Sequence, residues 1–98
     1  MSLPIDFHVE AVGEIDAAFD WYESQREKLG VEFLEALLKQ FERIQVNPEA
    51  YAILWRQVRA SPMRRFPYII YYRLLADRIN VIAVQHGHRN PGAWRRRA

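Results

Sequence analysis

The sequence predicts an α+β fold: an N-terminal strand, an αα-hairpin, then a three-stranded antiparallel meander, with the hairpin packed on one face of the sheet. Two observations predict it. The period of the apolar residues changes from two to about 3.6 at Glu10 and returns to two near Ile53. The basic, aromatic run Arg64-Arg65-Phe66-Pro67-Tyr68-Ile69-Ile70-Tyr71-Tyr72-Arg73 is followed closely by the apolar run Ile79-Asn80-Val81-Ile82-Ala83-Val84. Only a short polar break at Asp77-Arg78 lies between them, which is the pattern of a β-hairpin. The 98 residues, half of them hydrophobic, are enough for one modest core, and residues 1–98 are expected to form one domain.

Each element has its own signal. Residues 3–9 alternate Leu3, Ile5, Phe7 and Val9 with Pro4, Asp6 and His8, which predicts a short strand with Pro4 at an edge or a strand start. His8 falls on its polar side, as a solvated residue. Over residues 10–29, Ala11, Ile15, Ala18, Tyr22 and Leu29 make one helical stripe, with most of the acids off it. Gly30 is the expected stop, because glycine tolerates the left-handed conformation that ends helices. A second helix carries Phe33, Leu34, Leu37, Leu38, Phe41 and Ile44 and ends at Asn47-Pro48. Neither helix can hide its stripe alone, so both must lie on the later strands. Those are expected over residues 53–59, 63–75 and 78–86, with a turn at Ser61-Pro62. Pro67 inside the longest of them predicts a bulge or an edge. Asn90-Pro91-Gly92 is expected to end regular structure and leave Trp94 and Arg95-Arg96-Arg97 as a tail.

The formal net charge of +2 conceals a division. Residues 1–51 carry eleven acids against four cations, whereas residues 52–98 carry ten arginines against the lone acid Asp77. Arginine is suited to planar, bidentate contact with phosphate or carboxylate, so the later strands point to an anionic partner. There is no cysteine, which excludes disulfides and thiolate metal sites and fits a reducing, cytoplasmic setting. No apolar run reaches the length of a membrane span, and the first residues lack the basic-then-apolar pattern of a secretory signal.

Glycine loops that cradle phosphate, zinc-type spacings and serine–histidine–acid sets are all missing from the sequence. His86-x-His88 would place two imidazoles on one side of a strand, but no carboxylate nearby in sequence completes a metal site. No metal or other cofactor is expected. The candidate surface is the basic set Arg56, Arg59, Arg64, Arg65, Arg73, His86, His88 and Arg89, interleaved with Trp55, Tyr68, Tyr71 and Tyr72. Arg65, Ile69, Tyr71 and Arg73 are expected on one sheet face, and Phe66, Tyr68, Ile70 and Tyr72 on the other. Arginines and aromatics on a sheet face can hold single-stranded nucleic acid. With a histidine for proton transfer the same set could cleave RNA. The plainer alternative is that the aromatics are core and the arginines pair with the acidic helices.

The order of these pieces resembles the RelE/ParE toxin superfamily of type II toxin–antitoxin modules, over nearly the whole chain. The residues that carry the resemblance are Ala17-Ala18-Phe19-Asp20-Trp21-Tyr22, Leu29-Gly30, Asn47-Pro48-Glu49-Ala50-Tyr51, Val58-Arg59, the run 64–73, Val84-x-His86-x-x-Arg89-x-Pro91 and Trp94. They are most similar to the ParE-like, plasmid-stabilisation branch. The resemblance implies a toxin neutralised by a cognate antitoxin whose C-terminal segment wraps it, acting on DNA gyrase or another macromolecular target by surface binding and not as an enzyme. RelE-like members instead cleave mRNA on the ribosome, and on that alternative the working residues are Arg65, His86 and Arg89, converging at one sheet end. A non-toxic interaction domain of the same fold is the third reading. Gly87 interrupts the basic run and Trp94 stands where a nuclease member has tyrosine or histidine, which favours the ParE-like branch. The expected binding residues for target or antitoxin are Arg56, Arg59, Arg64, Arg65, Tyr71, Arg73, His86, His88, Arg89 and Trp94. The partner segment is expected to be rich in Asp, Glu and apolar residues and to cover an apolar, basic groove on the sheet.

Overall fold

The computed structural model describes residues 2–89 and 92–98. Strand β1, Ile5–Phe7, leads into helices α1, Val9–Gln25, and α2, Leu29–Val46. Strands β2, Ile53–Trp55, β3, Val58–Pro62, β4, Tyr68–Leu74, and β5, Ile79–His86, follow, and a short 3-10 helix, Arg95–Arg97, ends the chain. This is the expected α+β order.

The two helices form where the stripes predict them. His8 leaves the strand and caps α1, its Nδ1 accepting from the Glu10 N–H at 3.1 Å. It is a cap, not a solvated strand residue. The helices meet without help from a glycine stop, because the left-handed residue is Lys28, at φ 68°. Gly30 lies inside the first turn of α2 for a different reason. A Cβ there would stand 2.7 Å from the Phe19 carbonyl oxygen and 2.6 Å from Glu23 Cγ, so glycine lets α2 approach α1. Glu23 closes the junction from α1, accepting from the Gly30 N–H at 2.8 Å and the Lys28 N–H at 3.2 Å. A carboxylate suits the positive end of a helix dipole.

The sheet order is β1-β5-β4-β3-β2. Strands β2 to β5 are antiparallel neighbours, but β1 runs parallel to β5, with Ile5 opposite Ile79 and Phe7 opposite Val81. The sheet is therefore mixed, and four strands follow the helices where three were expected. The run 53–59 is two strands, folded back at Arg56-Gln57, where Arg56 takes φ 52°. Ser61 and Pro62 belong to β3, and the turn falls at residues 64–67. Pro67 thus precedes β4 and causes no bulge; its carbonyl accepts from the Gly87 N–H at 2.8 Å. A register shift does occur further on. Tyr71 pairs with Ala83 and Tyr72 with Val81, which leaves Ile82 as the extra residue. Of the expected break at Asn90-Pro91-Gly92, Asn90 and Pro91 lie outside the described residues.

Alternation in β4 divides the interior between two faces. Ile70 and Tyr72 join Phe33, Leu37, Phe41, Ile44, Val81 and Phe66 under the helices. Phe33, Ile44, Ile70, Tyr72 and Val81 are each fully buried. At roughly 1.5–3 kcal/mol per large apolar side chain, this layer dominates the stabilisation. Tyr71, Val58, Ile82 and Ala83 form the second face, and Trp94 covers them, 3% exposed and stacked on Tyr71 with ring centroids 4.9 Å apart. Residues 94–97 are thus a packed segment and not a free tail.

Candidate functional site

β1 pairs with β5 only from Ile79 to Val81, and beyond it the edge of β5 runs on toward His86 beside α1. Two small residues of α1, Ala17 and Ala18, leave a hollow of about 230 Å³ against that edge. Trp21, 57% exposed, stands on its helix side, and Tyr68, His86 and Arg89 line it with Gln85 and Val84. This hollow lies between a helix and a strand edge, not on a sheet face as expected. The sheet's second face is occupied by Trp94.

The hollow has an ionic wall. Glu14 of α1 accepts from the Val84 N–H at 3.0 Å and from Gln85 Nε2 at 2.7 Å. Arg97 reaches it from the far end of the chain, donating at 2.9 and 3.1 Å to the two Glu14 oxygens and at 3.0 Å to the Ile82 carbonyl. Its Nε lies 2.8 Å from Glu10 Oε2, and Arg96 pairs with the same Glu10. Only 5% of the Arg97 side chain is exposed. Burial by itself would raise the Glu14 carboxyl. The hydrogen bonds from Arg97, Gln85 and Val84 outweigh it and hold the group below the ordinary glutamate value.

At the other end of the hollow the backbone turns at Gly87. The His88 N–H donates to His86 Nδ1 at 3.1 Å, and the Arg89 N–H donates to the His86 carbonyl at 2.9 Å. His86 meets Tyr68 edge to face at 5.5 Å, and its ring centroid lies 5.2 Å from that of His88. Burial raises the Tyr68 hydroxyl above its ordinary pKa. Among the described residues no third His, Cys, Asp or Glu joins the two imidazoles.

The structure brings together His86, Arg89 and, through its ring, His88. It does not bring Arg65 to them. Arg65 lies in the turn before β4, stands over the Phe66 ring at 4.9 Å, and pairs with Glu32 of α2, which also holds Arg26 at 3.0 Å. Arg64 is exposed in the same turn and lines a separate hollow with Lys39 and Arg43. Arg59 anchors the chain after α2, donating to the carbonyls of Glu49 and Tyr51 at 3.1 and 2.8 Å. Arg73 donates to Asn80 Oδ1 at 2.9 Å across the β4–β5 pair. Tyr71 and Trp94 are core, so they offer no free ring to a base. Arg56 stands at the β2–β3 turn over Trp55, its Cζ 4.4 Å from the ring centroid.

The basic set is thus distributed over several places, and no helix among the described residues is long and apolar enough to cross a membrane. Sequence reasoning missed Glu14, Ala17 and Trp21 as residues of the hollow, and Arg97 as the partner of Glu14. Trp21 had a readable signal: a tryptophan off the apolar stripe of an amphipathic helix. The Glu14–Arg97 contact joins residues 83 apart and left no local trace.

Comparison with known proteins gives a consistent picture. A family model described as "ParE toxin of type II toxin-antitoxin system, parDE" matches residues 5–91. Toxin ParE2 of Mycobacterium tuberculosis, in strains CDC 1551 / Oshkosh and ATCC 25618 / H37Rv, is 31% identical over 97 residues, covering 95% of this chain and 90% of the relative. A solved structure described as the chromosomal ParDE TA system from P. aeruginosa superposes with a TM-score of 0.76 at 17% identity, over 87% of this chain and 96% of that one. At that identity the superposition speaks for the fold.

Proposed function

The chain belongs to the ParE toxin family of type II toxin–antitoxin systems, and from that premise we propose that its α1–β5 hollow takes the inhibitory segment of a cognate antitoxin, and that it acts on DNA gyrase or another macromolecular target by surface contact. The observation that carries the reading is the hollow between α1 and β5, with Trp21 exposed at its rim. A segment laid along the hollow can put its apolar side chains into the space over Ala17 and against Trp21. An acidic residue of that segment would meet Arg89. The partner in this reading is a protein rich in Asp, Glu and apolar residues.

Contact is favoured over RNA cleavage by where Arg65 goes. A nuclease site needs fixed cations around the scissile phosphate. Arg65 is engaged by Glu32, which leaves Arg89 as the arginine of the His86 hollow. Cleavage keeps one supporting observation, the grouping of Tyr68, His86 and Arg89, and it is the second reading.

Induction in growing cells tests both. Gyrase poisoning arrests replication and leaves transcripts intact, whereas cleavage cuts mRNA within translated codons. His86→Gln keeps size and polarity but removes the titratable proton. A nuclease using it loses about 10²–10⁴ in rate, and a contact toxin keeps nearly full potency. Cut transcripts that disappear in His86→Gln would overturn the contact reading.

A further inference from the structure

The face of the sheet opposite the helices carries a second arrangement that the hollow does not use. Trp55, partly exposed at the end of β2, has two guanidinium groups over its indole. Arg56 Cζ lies 4.4 Å from the ring centroid and Arg95 Cζ 5.3 Å. Arg95 Cζ also lies 6.0 Å from the ring of Trp94, which is itself fixed on Tyr71. Trp55 meets Trp94 edge to face at 6.0 Å. Two exposed arginines are thus held against a rigid aromatic support.

Three features point to a ligand. First, among the described residues neither arginine has a carboxylate partner, whereas the neighbouring Arg96 and Arg97 are both paired with Glu10. Second, Arg56 occupies a left-handed position at φ 52°, in a two-residue turn where glycine or asparagine would sit at least cost. Strained backbone at an exposed side chain is a recurring mark of a working surface. Third, an arginine resting on a ring has already lost part of its rotamer freedom, so less is lost when it binds.

We propose that Arg56 and Arg95, on the Trp55–Trp94 support, form a docking surface for an acidic segment of a protein partner, separate from the α1–β5 hollow. The planar guanidinium fork matches carboxylates. A nucleic acid is the poorer fit. Tyr71 and Trp94 are buried and Trp55 already bears the two guanidiniums, so no clear aromatic face remains for base stacking. The surface deepens the proposed function by giving the target its own contact chemistry, and it rests on that reading for the division between two partners.

The test is a titration with poly-L-glutamate, followed by tryptophan emission in a Trp21→Phe background so that Trp55 and Trp94 report. Emission is expected to change to saturation, and the Arg56→Ala/Arg95→Ala double variant to bind about ten- to a hundredfold more weakly. Lys39→Ala, at an exposed cation on α2, is expected to change nothing. No emission change, or equal binding by the double variant, overturns the surface. Tighter binding of a single-stranded DNA oligonucleotide at the same ionic strength, dependent on the same two arginines, overturns the choice of a protein partner. In cells, Arg56→Glu/Arg95→Glu is expected to relieve growth arrest while still co-eluting with the antitoxin on size exclusion; arrest that persists counts against the proposal. A wild-type chain that arrests nothing refutes the toxin reading instead, and the titration then decides the surface alone.

Discussion

Replacing Glu14 by glutamine changes one oxygen to an NH₂ group and leaves the shape of the side chain intact, which makes it a sensitive probe of the ionic wall. The carboxylate receives four hydrogen bonds, from the Val84 N–H, Gln85 Nε2 and both terminal nitrogens of Arg97. Glutamine can keep the two on its remaining oxygen. Its NH₂ then faces Gln85 Nε2 and an Arg97 nitrogen, donor against donor. Two charge-assisted bonds are lost at about 1.5–3 kcal/mol each. The 14% exposure of Glu14 allows some relief by water, and about 3 kcal/mol is the expected net loss. Such a loss lowers Tm by roughly 15 °C in a chain of this size. Urea unfolding followed by circular dichroism should show the midpoint falling with an unchanged slope. The pH dependence gives a second check. A carboxyl held below its ordinary pKa in the folded state contributes its stability above the unfolded pKa, and loses it as pH falls through the folded value. The gap between wild type and Glu14→Gln should therefore be constant from neutral pH to about 5 and close below about 4. A loss under about 0.5 kcal/mol, or a gap that persists in acid, would refute the wall as a stabilising element.

Other outcomes follow from the packing and the hollow. Gly30→Ala forces a Cβ against the Phe19 carbonyl and should cost about 1–3 kcal/mol, read as a lower melting temperature. Lys28→Gly relieves the left-handed residue at φ 68° and should leave stability unchanged or raise it by up to about 1 kcal/mol in the same assay. Gln40→Leu strands the fully buried Ser61 hydroxyl, which Gln40 meets at 2.7 Å, and should destabilise by about 1–3 kcal/mol in urea. Ala17→Arg fills the hollow from an exposed helix position; calorimetry should show antitoxin binding weakened at least about tenfold with the melting temperature within a few degrees of wild type.

The helices were legible because their burial is periodic. Ala11, Ala18 and Tyr22 on α1, and Phe33, Leu37, Phe41 and Ile44 on α2, are all buried where the stripes put them. The faces of β4 were legible for the same reason, with Ile70 and Tyr72 on one side and Tyr71 on the other. Gly30 was misread because a glycine between two helices has two possible causes, backbone freedom and space, and only the crossing of α1 with α2 distinguishes them. The break within residues 53–59 was hidden because an arginine holds the left-handed position where the usual signal is glycine or asparagine. The parallel place of β1 depends on which sheet edge is vacant, and local pattern carries no information about that. Of the candidate residues, His86 and Arg89 stay together because only the short turn at Gly87 separates them. Arg65 was drawn elsewhere by Glu32, a pairing across 33 residues that alternation cannot foresee.

The pairing of β1 with β5 also sets a timetable for the growing chain. Ile5 leaves the ribosome early but cannot find Ile79 until the last strand has been made. At about 5–20 residues per second that wait is several seconds, long compared with the microseconds in which a helical hairpin forms. During it, α1 and α2 can assemble while the strands that bury Phe33 and Ile44 are still being synthesised. The vacancy at the edge of the sheet is filled last, by the segment that emerged first. Arg97 arrives later still, so the acidic Glu14 acquires its guanidinium partner only after β5 has been made. A chain interrupted before Arg97 would keep the complete sheet yet lack that lock.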